Sequence, residues 1–170
     1  MVIIRPESDE HARGVRVVEE RAFGRPAEAD LVERLHRRGK AAIALVALDE
    51  DEVIGHVLFS PVRVGEGPDA LEILGMGPVA VLPERQRQGI GSRLIRAGLE
   101  ECRQIGAPAV VVLGDPRYYT RFGFQPAARF GIRFSDASVP ADAFMVMELR
   151  KGILEGRGGV AYYEPEFNTI

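Results

Sequence analysis

Apolar and polar positions follow two different periods along the chain, and each change of period marks the border of a predicted element. Residues 2–5 form a short apolar run that Pro6 ends, which predicts a strand. Two helical patterns follow. The first begins after Ser8, a favourable N-cap, and the second covers residues 27–38 with its apolar positions on one side. Gly39 then ends the second helix, so the chain begins with one strand and two helices.

Three strand-like runs come next. Residues 41–48 and 52–61 are rich in β-branched and other apolar side chains, and the acidic segment 49–51 separates them. This pattern is typical of an antiparallel hairpin with a tight turn. A third strand is predicted over residues 70–82, after a loop rich in Gly and Pro.

The clearest helix covers residues 88–105, where apolar or small side chains recur every three or four positions. A β-rich run at residues 109–113, a short helix at 116–122 and a strand at 143–149 follow, with a further short strand near 131–134. The predicted order is β-α-α-β-β-β-α-β-α-β, an α/β (α+β) fold.

The length of 170 residues fits one domain, and we assign residues 1–150 to it. Residues 151–170 are Gly-rich with an aromatic end, and we expect a C-terminal tail that packs on the same domain. A composition of 46% hydrophobic and 28% charged residues is that of a folded globular chain.

Net charge, cysteine content and the lengths of the apolar runs argue against several classes of protein. The net charge of −3 disfavours a nucleic-acid-binding surface, because neutralising phosphates requires a concentrated basic face. The only cysteine, Cys102, permits no internal disulfide and no thiolate metal cluster, and no metal site is predicted. The N-terminal apolar run is too short for a secretion signal, and no run is long enough to span a membrane. We therefore expect a cytoplasmic protein.

The candidate chemistry lies between the strand 70–82 and the helix 88–105. There the chain leaves a strand, passes polar residues and opens a helix at Gly89 and Gly91. The first N–H groups of a helix have no partner within it and carry roughly half a positive charge, so an anion is favoured there. A diphosphate fits best, since glycines let its oxygens approach the backbone and several arginines are nearby.

Two other phosphate motifs fit this segment poorly. A P-loop requires a lysine after its second glycine, and none follows Gly89 or Gly91. A dinucleotide fingerprint requires a third small residue where Leu94 stands, and the similar spacing from Gly75 to Ala80 lies inside a predicted strand.

The segment Gln86-x-x-Gly89-x-Gly91 resembles the pyrophosphate-binding signature of the GNAT N-acetyltransferase superfamily. A second block at residues 118–124, Tyr-Tyr-Thr-Arg-Phe-Gly-Phe, resembles the aromatic block of the same superfamily. The element order matches from residue 2 to residue 149. The resemblance implies a mixed, mostly antiparallel central sheet flanked by helices, and an acetyl-CoA-dependent N-acetyltransferase.

The resemblance also implies the roles of individual residues. Val79, Ala80 and Val81 would face the acetyl carbonyl and pantetheine through main-chain groups, and Tyr119 would be the general acid that protonates the leaving thiolate. The complete implied set of acetyl-CoA contacts is Val79, Ala80, Val81, Gln86, Arg87, Gln88, Gly89, Ile90, Gly91, Ser92, Tyr118 and Tyr119.

The strand itself supports this reading, because Pro78 beside Gly75 and Gly77 predicts an interrupted ladder with free backbone amides. Two residues are candidates for the general base. Glu72 precedes this interruption, and His56 lies in a strand, where a lone histidine is more often a structural residue.

Two other residues with reactive side chains are predicted to be structural and not catalytic. Asp115 precedes Pro116 at a helix start and is expected to be an N-cap, while Cys102 lies on an apolar helix stripe and is expected to be an inert buried thiol.

The sequence therefore predicts transfer of an acetyl group from acetyl-CoA to a primary amine of a small molecule or peptide, by direct attack in a ternary complex. The alternative is a CoA-binding sensor or scaffold module without catalysis. We expect no nucleic-acid or membrane partner, and a homodimer is common among such folds.

Overall fold

The computed structural model describes all 170 residues, which form nine strands and four α-helices. The strands are β1 (Val2–Pro6), β2 (Ile43–Asp49), β3 (Glu52–Val64), β4 (Leu71–Val81), β5 (Ala109–Leu113), β6 (Gln125–Pro126), β7 (Ile132–Phe134), β8 (Phe144–Glu148) and β9 (Gly159–Tyr163). The helices are α1 (Ala12–Phe23), α2 (Ala27–Arg37), α3 (Ile90–Gln104) and α4 (Pro116–Tyr119). None of these helices has the length and apolarity needed to cross a bilayer.

The predicted fold class is confirmed. The elements up to β8 follow the predicted order, with β7 as the short strand expected near residues 131–134 and β6 as an additional two-residue strand. Strand pairing is mostly antiparallel, and the pairs β4–β5 and β7–β9 are parallel.

The chain divides into two compact units. The first contains residues 1–60, 77–101 and 165–170. In it β1, β2 and the first part of β3 form an antiparallel sheet, with Val2 opposite Asp49 and Asp49 opposite Glu52. The hairpin turn places Glu50 at φ 48° and Asp51 at φ 73°, both in the left-handed region that a two-residue hairpin turn requires. The predicted acidic turn is thus confirmed.

Helix α3 packs closely on β3 within this unit. A Cβ added to Gly98 would lie 2.3 Å from Cε1 of Phe59, and one added to Gly55 would lie 2.9 Å from Cδ1 of Leu94. Two glycines, one on each element, therefore let the helix and the strand approach each other. This contact fixes where the first turn of α3 lies.

The second unit contains residues 61–76 and 102–164. Strand β5 pairs with β4 on one side and along its full length with β8 on the other, and β9 pairs with both β7 and residues Val62–Val64 of β3. Side chains from these strands and their connections form one buried core. Its members are Val62, Val64, Ile73, Ala109, Val111, Ala127, Ile132, Phe144, Val146, Leu154 and Ala161.

Two boundaries differ from the sequence-based expectation for the same reason. Strand β3 continues past Pro61 to Val64, and residues 159–163 of the predicted tail form β9. Val62 lies opposite Tyr163 and Val64 opposite Ala161, so each segment completes the hydrogen bonding of the other. Such pairing across about a hundred residues leaves no local sequence pattern.

Candidate active site

The polar segment after β4 forms a compact turn before α3. The Leu82 N–H donates to the Ile54 carbonyl (2.9 Å), which ties the end of β4 to β3, and a 3-10 turn follows at Pro83–Arg85. Arg87 and Gly89 then adopt positive φ angles of 62° and 82°. A Cβ added to Gly89 would have no neighbour within 4 Å, so this glycine is required by backbone conformation and the space around it is open.

Two glutamines of the predicted cofactor set brace this turn. The Gln86 side-chain amide donates to the Val81 carbonyl (3.0 Å), and the Gln88 amide donates to the Glu84 carbonyl (3.4 Å). Both side chains bridge the turn to its own main chain. In these positions both side chains stabilise the conformation of the turn.

The three arginines near the turn differ in their partners. Arg85 forms an ion pair with Asp49 (2.9 Å), and the Arg93 guanidinium donates to the Val2 carbonyl (3.0 Å). Arg87 is exposed and makes no ion pair within the protein. Of the positive charges predicted to neutralise a phosphate, that of Arg87 is therefore the most available.

Residues Ile90, Gly91 and Ser92 form the first turn of α3, directly after Gly89. Ile90 is buried and contributes to the contact with Gly55, whereas Gly91 and Ser92 are half-buried. The N–H groups of this turn have no carbonyl partners within the helix and carry its partial positive charge. The predicted loop residues from Gln86 to Ser92 thus lie together at one helix start.

Strand β4 leads into this turn. Its parallel ladder with β5 pairs Leu74 with Val110 and ends where Met76 faces Val112. The end of the ladder agrees with the interruption predicted from Gly77 and Pro78. In the strand beyond it, Ala80 is buried and Val79 and Val81 are half-buried.

The aromatic block is held by its own local contacts. Asp115 accepts from the Arg117 N–H (2.9 Å), so it is the N-cap of α4 as predicted. The Tyr119 ring packs on Gly114, where an added Cβ would lie 2.2 Å from Cε2 of the ring. Tyr118 contacts the same ring edge to face, with centroids 5.1 Å apart.

Tyr119 is chemically distinct from an ordinary surface tyrosine. Burial, together with the neighbouring Tyr118, raises the pKa of Tyr119 to about 12. Its hydroxyl makes no hydrogen bond within the protein. The side chain is therefore a phenol that stays protonated through neutral pH and has a free donor.

The two candidate bases lie in contrasting places. Glu72 is an exposed residue of β4. His56 is fully buried, with Nδ1 2.7 Å from the Glu19 carboxylate and Nε2 2.7 Å from the Glu7 carboxylate. Both ring nitrogens of His56 are thus engaged, which agrees with the structural reading of this residue.

Burial alone would lower the pKa of His56, but its hydrogen bonds with Glu19 and Glu7 raise it to about 9. Burial raises the pKa of Glu19, against the effect of His56. Burial would also raise the pKa of Glu7, but hydrogen bonds with His36 and His56 outweigh this effect and lower the pKa to about 2.

The sequence singled out His56 but none of its partners. One signal was present: Glu19 lies one turn after Val15 and beside Val18, on the apolar side of α1, and all three are buried. A carboxylate in an apolar stripe requires a partner. Glu7 and His36 left no comparable signal.

Known proteins resemble the chain over most of its length. Residues 3–127 match the acetyltransferase (GNAT) domain. The uncharacterized N-acetyltransferase YhbS of Escherichia coli strain K12 is 39% identical over 170 residues, which cover 99% of this chain and 100% of YhbS. YjhQ, an uncharacterized N-acetyltransferase of the same strain, is 42% identical over 119 residues, or 69% of this chain and 66% of YjhQ.

Solved structures give the same picture. The crystal structure of Escherichia coli YhbS in complex with CoA matches with a TM-score of 0.92, covering 98% of this chain and 92% of that one. A GNAT family acetyltransferase from Brucella melitensis in complex with acetyl-CoA matches with a TM-score of 0.80 and 34% identity, covering 98% of both chains.

Proposed function

Since the chain belongs to the acetyltransferase (GNAT) family, we propose that it moves an acetyl group from acetyl-CoA to a primary amine of a small molecule or peptide. The amine attacks the thioester directly while both substrates are bound. The observation that carries this proposal is the braced turn from Gln86 to Gly89, which leads directly into the first turn of α3. Relatives over 30% identical with CoA or acetyl-CoA bound support the choice of cofactor.

The turn suits a diphosphate for three reasons. Gly89 has no side chain and open space around it, so phosphate oxygens can reach the backbone. The helix start supplies several N–H donors and a partial positive charge. Arg87, exposed and without an ion pair, adds a full charge. Gln86 and Gln88 keep this arrangement in place through their bonds to the turn.

For the thioester, we assign the main-chain groups of Val79, Ala80 and Val81 to the carbonyl and the pantetheine, as the family resemblance implies. The support from the fold is that the ladder between β4 and β5 ends at Met76. Backbone groups beyond that point are not used by β5. Polarising a thioester carbonyl requires donors of this kind.

Tyr119 is assigned as the general acid. Its raised pKa, about 12, keeps the proton on the phenol at neutral pH; because a thiol has a pKa near 8.5, the phenol is the weaker acid, and its main contribution is a hydrogen bond to the leaving sulfur. Tyr118 supports the ring of Tyr119 by its edge-to-face contact. We expect this proton transfer to contribute a factor of about 10²–10⁴ at most.

The incoming amine must lose a proton, because an alkylamine with a pKa near 10.4 arrives charged. Glu72 is the proposed base, as an exposed carboxylate on β4. His56 is less suited, because it is fully buried and both of its nitrogens already bond carboxylates.

Release of free thiol from acetyl-CoA, followed with a chromogenic disulfide reagent over a panel of amines, tests the proposal. The only cysteine, Cys102, is fully buried, so the folded protein contributes little background. We expect turnover with at least one amine, a reduced kcat in Tyr119→Phe and in Glu72→Gln, and acetyl-CoA affinity within about twofold of wild type in both. Tight CoA binding without thiol release for any amine or peptide would instead favour the sensor or scaffold function.

A further inference from the structure

Four side chains distant in sequence form one cluster in the first unit, which we call the histidine–carboxylate cluster: Glu7, Glu19, His36 and His56. Glu7 follows β1, Glu19 lies on α1, His36 lies on α2, and His56 lies on β3. The acetyl-transfer chemistry proposed above uses none of the four.

The Glu7 carboxylate lies between the two imidazoles. One of its oxygens is 2.7 Å from Nε2 of His56, and the other is 2.9 Å from Nε2 of His36. One donor atom from each of these three residues lies within 4.8 Å of the others. Ligand atoms around a tetrahedral zinc ion are about 3.3 Å apart, as bond lengths of ~2.0–2.1 Å require. Binding an ion therefore requires the Glu7–His56 contact of 2.7 Å to open by about 0.6 Å and the widest pair of donor atoms, within 4.8 Å of each other, to close by at most about 1.5 Å.

Glu19 occupies the position of a partner that orients a metal ligand. It bonds Nδ1 of His56 at 2.7 Å and is itself fully buried. Its second oxygen, Oε2, has no hydrogen-bond partner. A carboxylate on Nδ1 holds the His56 ring in the orientation that points Nε2 toward Glu7, where Nε2 now donates its proton to the Glu7 carboxylate. Once the imidazole protons facing the ion have been released, two carboxylates and two neutral imidazoles would carry a net charge of −2, which matches a divalent cation.

The cluster is accessible from one side. Glu7 and His36 line a cavity of about 380 Å³, and the His36 side chain is 39% exposed. The cavity provides an entry path and room for a water molecule as a fourth ligand.

Nearby charges do not oppose a cation strongly. Arg16 lines the same cavity, but it pairs with Glu20 at 2.6 Å, Asp30 at 2.8 Å and Glu33 at 2.9 Å. The other lining cation, Arg37, is exposed to solvent.

We propose that Glu7, His36 and His56 bind one divalent transition-metal ion, with Glu19 as the residue that positions His56. Two imidazole nitrogens and one carboxylate with an open fourth position are a donor set that suits zinc. The ion would join β1, α2 and β3, and the proton on Nε2 of His56 would leave to solvent as the metal–nitrogen bond forms.

Calorimetric titration of zinc chloride into tag-free protein, stripped with a chelator and then dialysed, tests this site. The chain has three histidines, so His11 provides a matched control outside the cluster. We expect one ion per chain for wild type and for His11→Gln, and affinity lowered at least about tenfold in His36→Gln. Because His36 is partly exposed, this variant should fold, and circular dichroism checks that it does.

Two further measurements separate a metal site from a structural ion network. Cobalt(II) should give a visible d–d absorption band in wild type and His11→Gln that is absent in His36→Gln. Glu19→Gln should weaken zinc binding by about 10–100-fold, the usual effect of losing a partner that orients a ligand. No zinc binding by folded wild type, or equal losses in His11→Gln and His36→Gln, would overturn the proposal.

Discussion

The substitution Gly98→Ala tests how α3 is seated, and with it the position of the proposed cofactor turn. A Cβ at this position would lie 2.3 Å from Cε1 and 2.6 Å from Cζ of Phe59. Ordinary carbon contacts are about 3.5–4.0 Å, so the ring or the helix must move by more than an ångström. Phe59 is fully buried, so its ring cannot turn into solvent without displacing close-packed neighbours.

The expected magnitude follows from two opposing effects. Overpacking a close-packed core costs about 1–3 kcal/mol, and this contact lies toward the upper end of that range. Replacing a helical glycine by alanine gains about 1 kcal/mol in helix propensity. We therefore expect a net loss of about 1–2 kcal/mol, or a Tm lower by roughly 2–8 °C for a chain of this size.

Far-UV circular dichroism is the suitable probe, since the chain has no tryptophan. A double-mutant cycle with Phe59→Leu isolates the contact. The smaller side chain relieves the overlap, so the double variant should be more stable than the sum of the single losses by about 0.5 kcal/mol or more. A Tm for Gly98→Ala at or above wild type, or strict additivity in the cycle, would refute this packing.

Three further predictions concern the aromatic block and the C-terminal contact. Burial raises the pKa of Tyr119 to about 12, so kcat/KM should show no alkaline decline from this group below pH 10. The free energy of unfolding should fall between pH 10 and 12, because the tyrosine of the unfolded chain ionises first in that range. Tyr119→Phe should reduce this fall in alkaline unfolding titrations. Gly114→Ala would place a Cβ 2.2 Å from the Tyr119 ring, so kcat should drop at least as much as in Tyr119→Phe, and an unchanged kcat would contradict this contact. Arg38→Ala removes the ion pair between half-exposed Arg38 and the buried Glu166 carboxylate, and should lower the free energy of unfolding by about 1–3 kcal/mol in urea titrations because the carboxylate loses this partner; a loss well below about 1 kcal/mol would contradict this contact.

The elements that the sequence predicted well are those whose signals are local. The β2–β3 hairpin is encoded by two apolar runs and an acidic turn, which sets the pairing of Asp49 with Glu52, although the register shifts between Ala47 and Leu48. Helix α3 carries a regular apolar stripe, and its start is marked by Gly89. The N-cap role of Asp115 likewise depends on residues that are neighbours in sequence.

Long-range pairing was the part that the sequence could not supply. Strand β9 exists because Ala161 and Tyr163 face Val64 and Val62, and a Gly-rich segment alone does not indicate a strand. The partners of His56 are 49 residues away at Glu7 and 37 residues away at Glu19, so only the fold brings them together. A lone strand histidine therefore predicted a structural residue but not a cluster.

The central claim is that main-chain donors around Gly89 and Gly91 hold the diphosphate of acetyl-CoA, and a charge change at Ser92 tests it most directly. Ser92 lies in the first turn of α3, where a carboxylate is favourable for helix stability but repels a phosphate. Ser92→Glu and Ser92→Gln are similar in size and differ in charge.

Isothermal titration of acetyl-CoA into wild type and the two variants is the decisive measurement. We predict one binding site per chain in wild type, and an affinity in Ser92→Glu at least about tenfold weaker than in Ser92→Gln, with a stronger dependence on salt. No binding by wild type, or equal affinities in the two variants, would contradict the claim.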